Sequence, residues 1–112
     1  MAEALGLSSV AVGDDSKATG DNSVAIGFKA EAQGKSAFAG GDQALAKGQS
    51  SVAIGQNAKA NSANTTAVGA AAIADGNNAT AIGNGAQATK TTATAVGDVA
   101  FATGEQSTAV GT

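Results

Sequence analysis

Few residues in this chain have the chemistry for a reaction, and their spacing speaks against one. Carboxylates occur as the adjacent pair Asp14-Asp15, and Asp14, Asp42 and Asp98 recur in one phase of the chain. Facing carboxylates serve general acid–base catalysis, but an adjacent Asp pair is a turn signal whose side chains are solvated. Three aspartates on separate segments could share a Ca²⁺ ion only between chains, and that ion requires six or more oxygens. His, Cys, Arg and Tyr are absent, so the Ser and Thr hydroxyls lack the usual base, and the lysines are scattered. Gly83-Asn84-Gly85 followed by Ala88 imitates a dinucleotide-binding loop without the helix that such a loop must open. Asn64-Thr65-Thr66 and Asn78-Ala79-Thr80 fit a glycosylation acceptor pattern that the internal repeat generates by itself. No catalytic, metal or cofactor site is expected.

Composition narrows the class further. Alanine and glycine dominate the 112 residues, Phe28, Phe38 and Phe101 are the only aromatics, and Leu, Ile and Val are sparse. A conventional core of bulky side chains is therefore excluded. Six Lys against nine Asp and Glu give a net charge of −3 with both signs dispersed, which leaves no basic stripe for nucleic-acid phosphates. Without Cys there is no disulfide framework, and no apolar run approaches the roughly 20 residues of a membrane span. No signal-peptide pattern opens the sequence, which is read as a mature fragment or an excised segment.

The elements that must position these residues follow from one period. Glycine stands at Gly13, Gly27, Gly41, Gly55, Gly69, Gly83, Gly97 and Gly111, and Ala11, Ala25, Ala39, Ala53, Ala67, Ala81, Ala95 and Ala109 keep the same 14-residue spacing, so eight units fill the chain. A second glycine series, Gly6, Gly20, Gly34, Gly48, Gly76 and Gly104, gives way only at Ser62 and Lys90. Glycine every seven residues predicts two turns per unit, each needing φ > 0 or close backbone approach, separated by two short strands. A helix would lose about 1 kcal/mol at each glycine and lacks the 3.6-residue apolar period. The chain is expected to be all-β, a solenoid of stacked coils.

Strand alternation then assigns faces. In Ala30-Glu31-Ala32 and its equivalents the outer positions are almost always Ala, Ser16 being the exception, while the middle position runs Glu3, Lys17, Glu31, Leu45, Lys59, Ile73, Gln87, Phe101. The alanines point inward and the variable residue outward. In the other strand the central alanines, Ala11 to Ala109, face inward with a small neighbour such as Ser23, Ala37 or Thr65, forming a roll interior two side chains thick. That forces two ladders outward: Val10, Val24, Phe38, Val52 and then Thr66, Thr80, Thr94, Thr108, and beside them Val12, Ile26, Gly40, Ile54, Val68, Ile82, Val96, Val110. Such a β-branched stripe is too large to leave wet, and burying each Val or Ile is worth roughly 1.5–3 kcal/mol, so the chain should oligomerise through it. Phe38 stands on the rung that Gly40 empties, as expected of volume compensation in a packed layer. On the variable ridge Leu45, Ile73 and Phe101 place an apolar side chain on every second rung, roughly 10 Å apart on a rod roughly 38 Å long, and form a candidate ligand row.

Ser9-Val10-Ala11-Val12-Gly13, Asn22-Ser23-Val24-Ala25-Ile26-Gly27 and Ser51-Val52-Ala53-Ile54-Gly55, each trailed by Ala-x-Ala-x-Gly, resemble the head repeats of YadA-like trimeric autotransporter adhesins over the whole chain. The resemblance implies a left-handed parallel β-roll, three chains about a common axis, display on the outer membrane of a Gram-negative cell, and adhesion to host matrix proteins such as collagen, fibronectin or laminin. It implies too that residues 1–112 form a single head-repeat domain of a longer surface protein, with signal peptide, neck, stalk and membrane anchor outside it. The family's collagen-associated motif falls on residues 9–13, 23–27 and 51–55. The third unit, Ala37-Phe38-Ala39-Gly40-Gly41, departs from the motif, and from residue 66 Thr replaces Val.

Two other readings stay open. The ladder Thr66, Thr80, Thr94, Thr108 on an Ala/Gly/Thr-rich roll would suit an ice-binding solenoid, although Val10, Val24 and Phe38 occupy the same column. A purely structural spacer is the other. Mass in solution separates them, a monomer favouring ice binding and a trimer favouring adhesion.

Overall fold

The computed structural model describes residues 1–111 and is a two-sheet parallel β-solenoid of eight 14-residue coils. Each coil holds one two-residue strand and one three-residue strand. The short strands, from Glu3–Ala4 to Phe101–Ala102, form one eight-stranded sheet, here the ridge sheet; the longer ones, from Val10–Val12 to Thr108–Val110, form the other, here the ladder sheet. Both are parallel and strictly in step: Ala25 pairs with Ala39 and Ala39 with Ala53, just as Ala32 pairs with Ala46. Residues one period apart therefore stack as columns, and the repeat in the sequence becomes translation along a rod 38 Å long, 20 Å wide and 12 Å thick.

The turns are built to one plan. In most, a glycine carbonyl accepts the N–H three residues on, as Gly13 does from Ser16 and Gly20 from Ser23, both at 3.2 Å, and Lys90 stands in for the glycine toward Ala93. The residue two after the glycine takes a left-handed conformation, with φ 61° at Asp15, 59° at Asn22 and 60° at Asn57. Asn and Asp tolerate that region best among residues with a side chain, and they hold many of these corners. The two glycine series differ in one respect. An added Cβ would strike the next coil's carbonyl in both, that of Gly41 above Gly27 and that of Gly48 above Gly34, but Gly27 also lies at φ 131°, which a side chain resists, whereas Gly34 has ordinary φ. Where Ser62 replaces that glycine, its hydroxyl donates to the Asp75 carbonyl at 2.5 Å. Where Lys90 does, the neighbouring bond from Thr89 N–H to the Ala102 carbonyl lengthens to 3.2 Å, against 2.8 Å for Gln33 to Ala46.

Turn amides also reach the preceding coil. Asn22 N–H donates to the Leu7 carbonyl at 2.7 Å and Lys29 N–H to the Asp14 carbonyl at 2.9 Å, so the coil-to-coil ladder continues around the corners. Backbone polar groups at the turns thus find partners without a conventional core around them. Inside the roll, Ala30, Ala32, Ala44 and Ala46 of one sheet meet Ala25, Ala39 and Ala53 of the other, all fully buried or nearly so. The buried hydroxyls of Ser23, Ser51 and Thr65 donate to the carbonyl that opens their own turn, at 2.6, 2.6 and 2.7 Å. Each replaces a methyl in the packing and closes the corner with a second bond, and no buried polar side-chain atom among the described residues lacks a partner.

Candidate interaction faces

The two broad faces are defined by residues that the alternation turns outward. On the ladder sheet Val24, Val52, Thr66, Val68, Thr80, Thr94 and Val96 are half-buried, and Val10, Val12, Ile26, Phe38, Ile54, Ile82 and Val110 are exposed. No column of this face carries a charge, and residues one coil apart stack directly on one another, Val10 on Val24 and Val68 on Ile82. The alanines between them sit within the roll: Ala25, Ala39, Ala53, Ala67, Ala81 and Ala95 are fully buried, while Ala11 and Ala109 in the outermost coils are partly open. The Phe38 ring lies over its own Gly40, so that a Cβ built there would sit 2.9 Å from Cε1.

The ridge sheet has a different surface. Its outward column pairs Glu31 with Leu45, Leu45 with Lys59, Lys59 with Ile73, and Gln87 with Phe101. Leu45 and Ile73 are half-buried by their neighbours, whereas Phe101 is 53% exposed. A shallow cleft of about 270 Å³ runs across this face between Lys29, Glu31, Gln43, Leu45 and Lys59, with a second of about 260 Å³ beside it at Asp15 and Lys17. The Lys29 ammonium lies 5.3 Å from the Phe28 ring centroid, a cation–π distance.

Sequence reasoning overlooked one residue here. Val99 occupies the left-handed corner, φ 56°, that Asp15, Lys29, Gln43 and Asn57 hold in other coils, and it is 56% exposed beside Phe101. A β-branched residue in that conformation is strained by about 1–3 kcal/mol, and no burial offsets it. The signal was available in the column itself, whose other occupants, Met1 apart, are polar, Gly or Ala. Asp14, Asp42 and Asp98 remain on separate coils, and among the described residues no group of three or more potential metal ligands comes together.

A charge-free ladder face, a variable ridge and an alanine interior on in-step 14-residue coils define a surface-presenting β-solenoid, a class that works through its faces. The YadA head domain repeat matches residues 4–30, 46–72, 60–86 and 88–112, and the chain belongs to that family. The crystal structure of the collagen-binding domain of the Yersinia adhesin YadA is similar over 99% of this chain and 70% of that one, with a TM-score of 0.87 and 34% identity. No curated protein sequence matches. The fold and the family are those of a non-enzymatic adhesin head.

Proposed function

We propose that this chain is the adhesive head of a trimeric autotransporter on a Gram-negative cell, with the ladder sheet closing a homotrimer and the ridge sheet facing a host matrix protein. The observation that carries this reading is the contrast between the faces. One broad side of a rod only 12 Å thick is uncharged over its whole length and β-branched at every coil but the third, while the other varies in charge and size from coil to coil. Exposed apolar surface of that extent favours association, and the roughly 20 Å by 38 Å face is comparable to the ~800 Å² that each partner contributes to an interface of standard size. The trimer count and the outer-membrane setting come from the family likeness.

On the ridge, repeated weak contacts from three copies suit an elongated partner better than any single pocket, because avidity multiplies modest affinities. Collagen is the first candidate, given the crystal structure to which the chain is similar; fibronectin and laminin are the others. The test joins sedimentation at micromolar concentration with binding to the three immobilised proteins. A trimer that binds one of them meets the expectation. A folded monomer defeats the trimer and returns the Thr66–Thr108 column to the ice-binding reading. A trimer that binds none is a spacer.

A further inference from the structure

We propose that the ladder sheet carries a register code for assembly with further copies of the same chain, written in size at the Phe38–Gly40 rung and in polarity at the change from Val52 to Thr66. This rests on the trimer reading. The face itself argues for a second copy as its occupant. Its columns repeat once per coil, at the roughly 4.8 Å spacing of paired strands, over 38 Å without a charge. An apolar surface with that pitch is matched level by level only by another surface of the same pitch, and this chain supplies one.

The difficulty such an assembly faces is degeneracy. Val12, Ile26, Ile54, Val68, Ile82, Val96 and Val110 are nearly interchangeable, so a copy displaced by one coil would still bury all but one level of its apolar face. Register is weakly specified wherever a pattern repeats uniformly, and specificity then needs features that penalise the wrong alignment. Two such features interrupt this face. At the third coil the Phe38 ring crosses its strand to cover Gly40, leaving a level whose bulk is distributed unlike any other. In register, these levels from all copies coincide; displaced by one coil, a Phe38 ring meets Ile26 or Ile54, and Gly40 faces a level that does not fill it. Overpacking and voids are both penalised in a tightly packed layer.

The polarity change works independently. Val52 pairs with Thr66 within one chain, and from Thr66 through Thr80 and Thr94 to Thr108 the outer column presents hydroxyls in place of methyls. In register, hydroxyls meet at the same height and can satisfy one another; a one-coil displacement sets Thr66 of one copy against Val52 of another and leaves a hydroxyl in apolar contact. Burying such a group without a partner is unfavourable. The size and polarity features sit on different coils, so every displacement of one or more coils violates at least one of them.

The experiment moves the size feature by one coil. A variant with Val24→Phe, Ile26→Gly, Phe38→Val and Gly40→Ile is co-refolded with the wild type, one of the two bearing a small mass tag, and native mass spectrometry counts mixed trimers. The expected result is that each chain forms its own trimers while mixed ones fall about tenfold below a binomial distribution, the equivalent of a mismatch of about 1.4 kcal/mol. Binomial mixing overturns the register code and leaves the trimer intact. Wild-type chains that stay monomeric overturn the trimer itself, which separates the two failures. If the shifted variant does not fold, Phe38→Val/Gly40→Ile, which restores the common repeat, is mixed with the wild type instead. Depletion of mixed trimers supports the code and binomial mixing again overturns it.

Discussion

The two outward faces share a backbone period, a core and a strand register, yet their side chains obey different rules. Along the ladder sheet Val, Ile and Thr follow one another with a single interruption at Phe38–Gly40, while along the ridge sheet Glu31, Leu45, Lys59, Ile73 and Gln87 succeed one another without a shared property. The interior has already fixed the alanines, so neither pattern is needed to hold a coil together. On the function proposed above, uniformity on one side reflects a neighbour that is the same at every level, and diversity on the other reflects solvent or a partner that differs along the rod. A repeat protein thus shows through its columns which surfaces are committed and which are free to change.

The largest effect that would break this contrast is expected from charge on the uniform face. Ile54→Asp with Ile82→Asp should abolish assembly and folding at micromolar concentration, seen as loss of the trimer in sedimentation and of strand signal in circular dichroism. Full retention of both would show the face to be solvent-facing. Next comes the interior. Ala53 is fully buried between two sheets of a roll 12 Å thick, so Ala53→Leu should destabilise by more than the roughly 1–3 kcal/mol usual for overpacking, since every copy is altered. An unchanged melting temperature would mean that the coils can spread apart without cost.

Smaller effects sharpen the description of the ridge. Val99→Gly removes a strained corner and should raise stability by about 1 kcal/mol, measured by urea denaturation. Changing Leu45, Ile73 and Phe101 together to Ser should cost a similar amount in total, about 0.5 kcal/mol for each outward position. The same variant is expected to lose binding to the immobilised matrix protein. Unimpaired binding would move the contact elsewhere on the surface.

Much of the architecture was legible because every coil repeats the same physical compromise. Ala-x-Ala alternation assigned the inward positions, and the β-branched run in the Val24 and Ile26 columns isolated one face. What stayed hidden was where each corner stores its unusual geometry. Glycine signalled both turns, but in both the left-handed corner belongs to the residue two places on, such as Asp15 or Asn22, and in the second the glycine answers only to the carbonyl of the coil above. Sequence spacing cannot tell these demands apart, because both select the same residue. The cleft between Lys29, Glu31 and Lys59 was equally invisible, since it joins a turn column to a strand column across three coils. Val99 was overlooked because an apolar residue in a mostly polar column becomes conspicuous only once that column is known to hold the left-handed corner.

The bonds that carry the ladder around the corners, such as Asn22 to Leu7 and Lys29 to Asp14, lie along the rod and not across it. Pulled end to end, the molecule therefore bears load on one coil junction after another, as a zipper does. A junction that yields releases 14 residues and lengthens the tether by roughly 40 Å, while the coils behind it remain folded. A head of this kind would give ground stepwise under shear flow and re-form coil by coil when the pull relaxes. Its force–extension trace should show evenly spaced teeth; a single all-or-none rupture would rule this behaviour out.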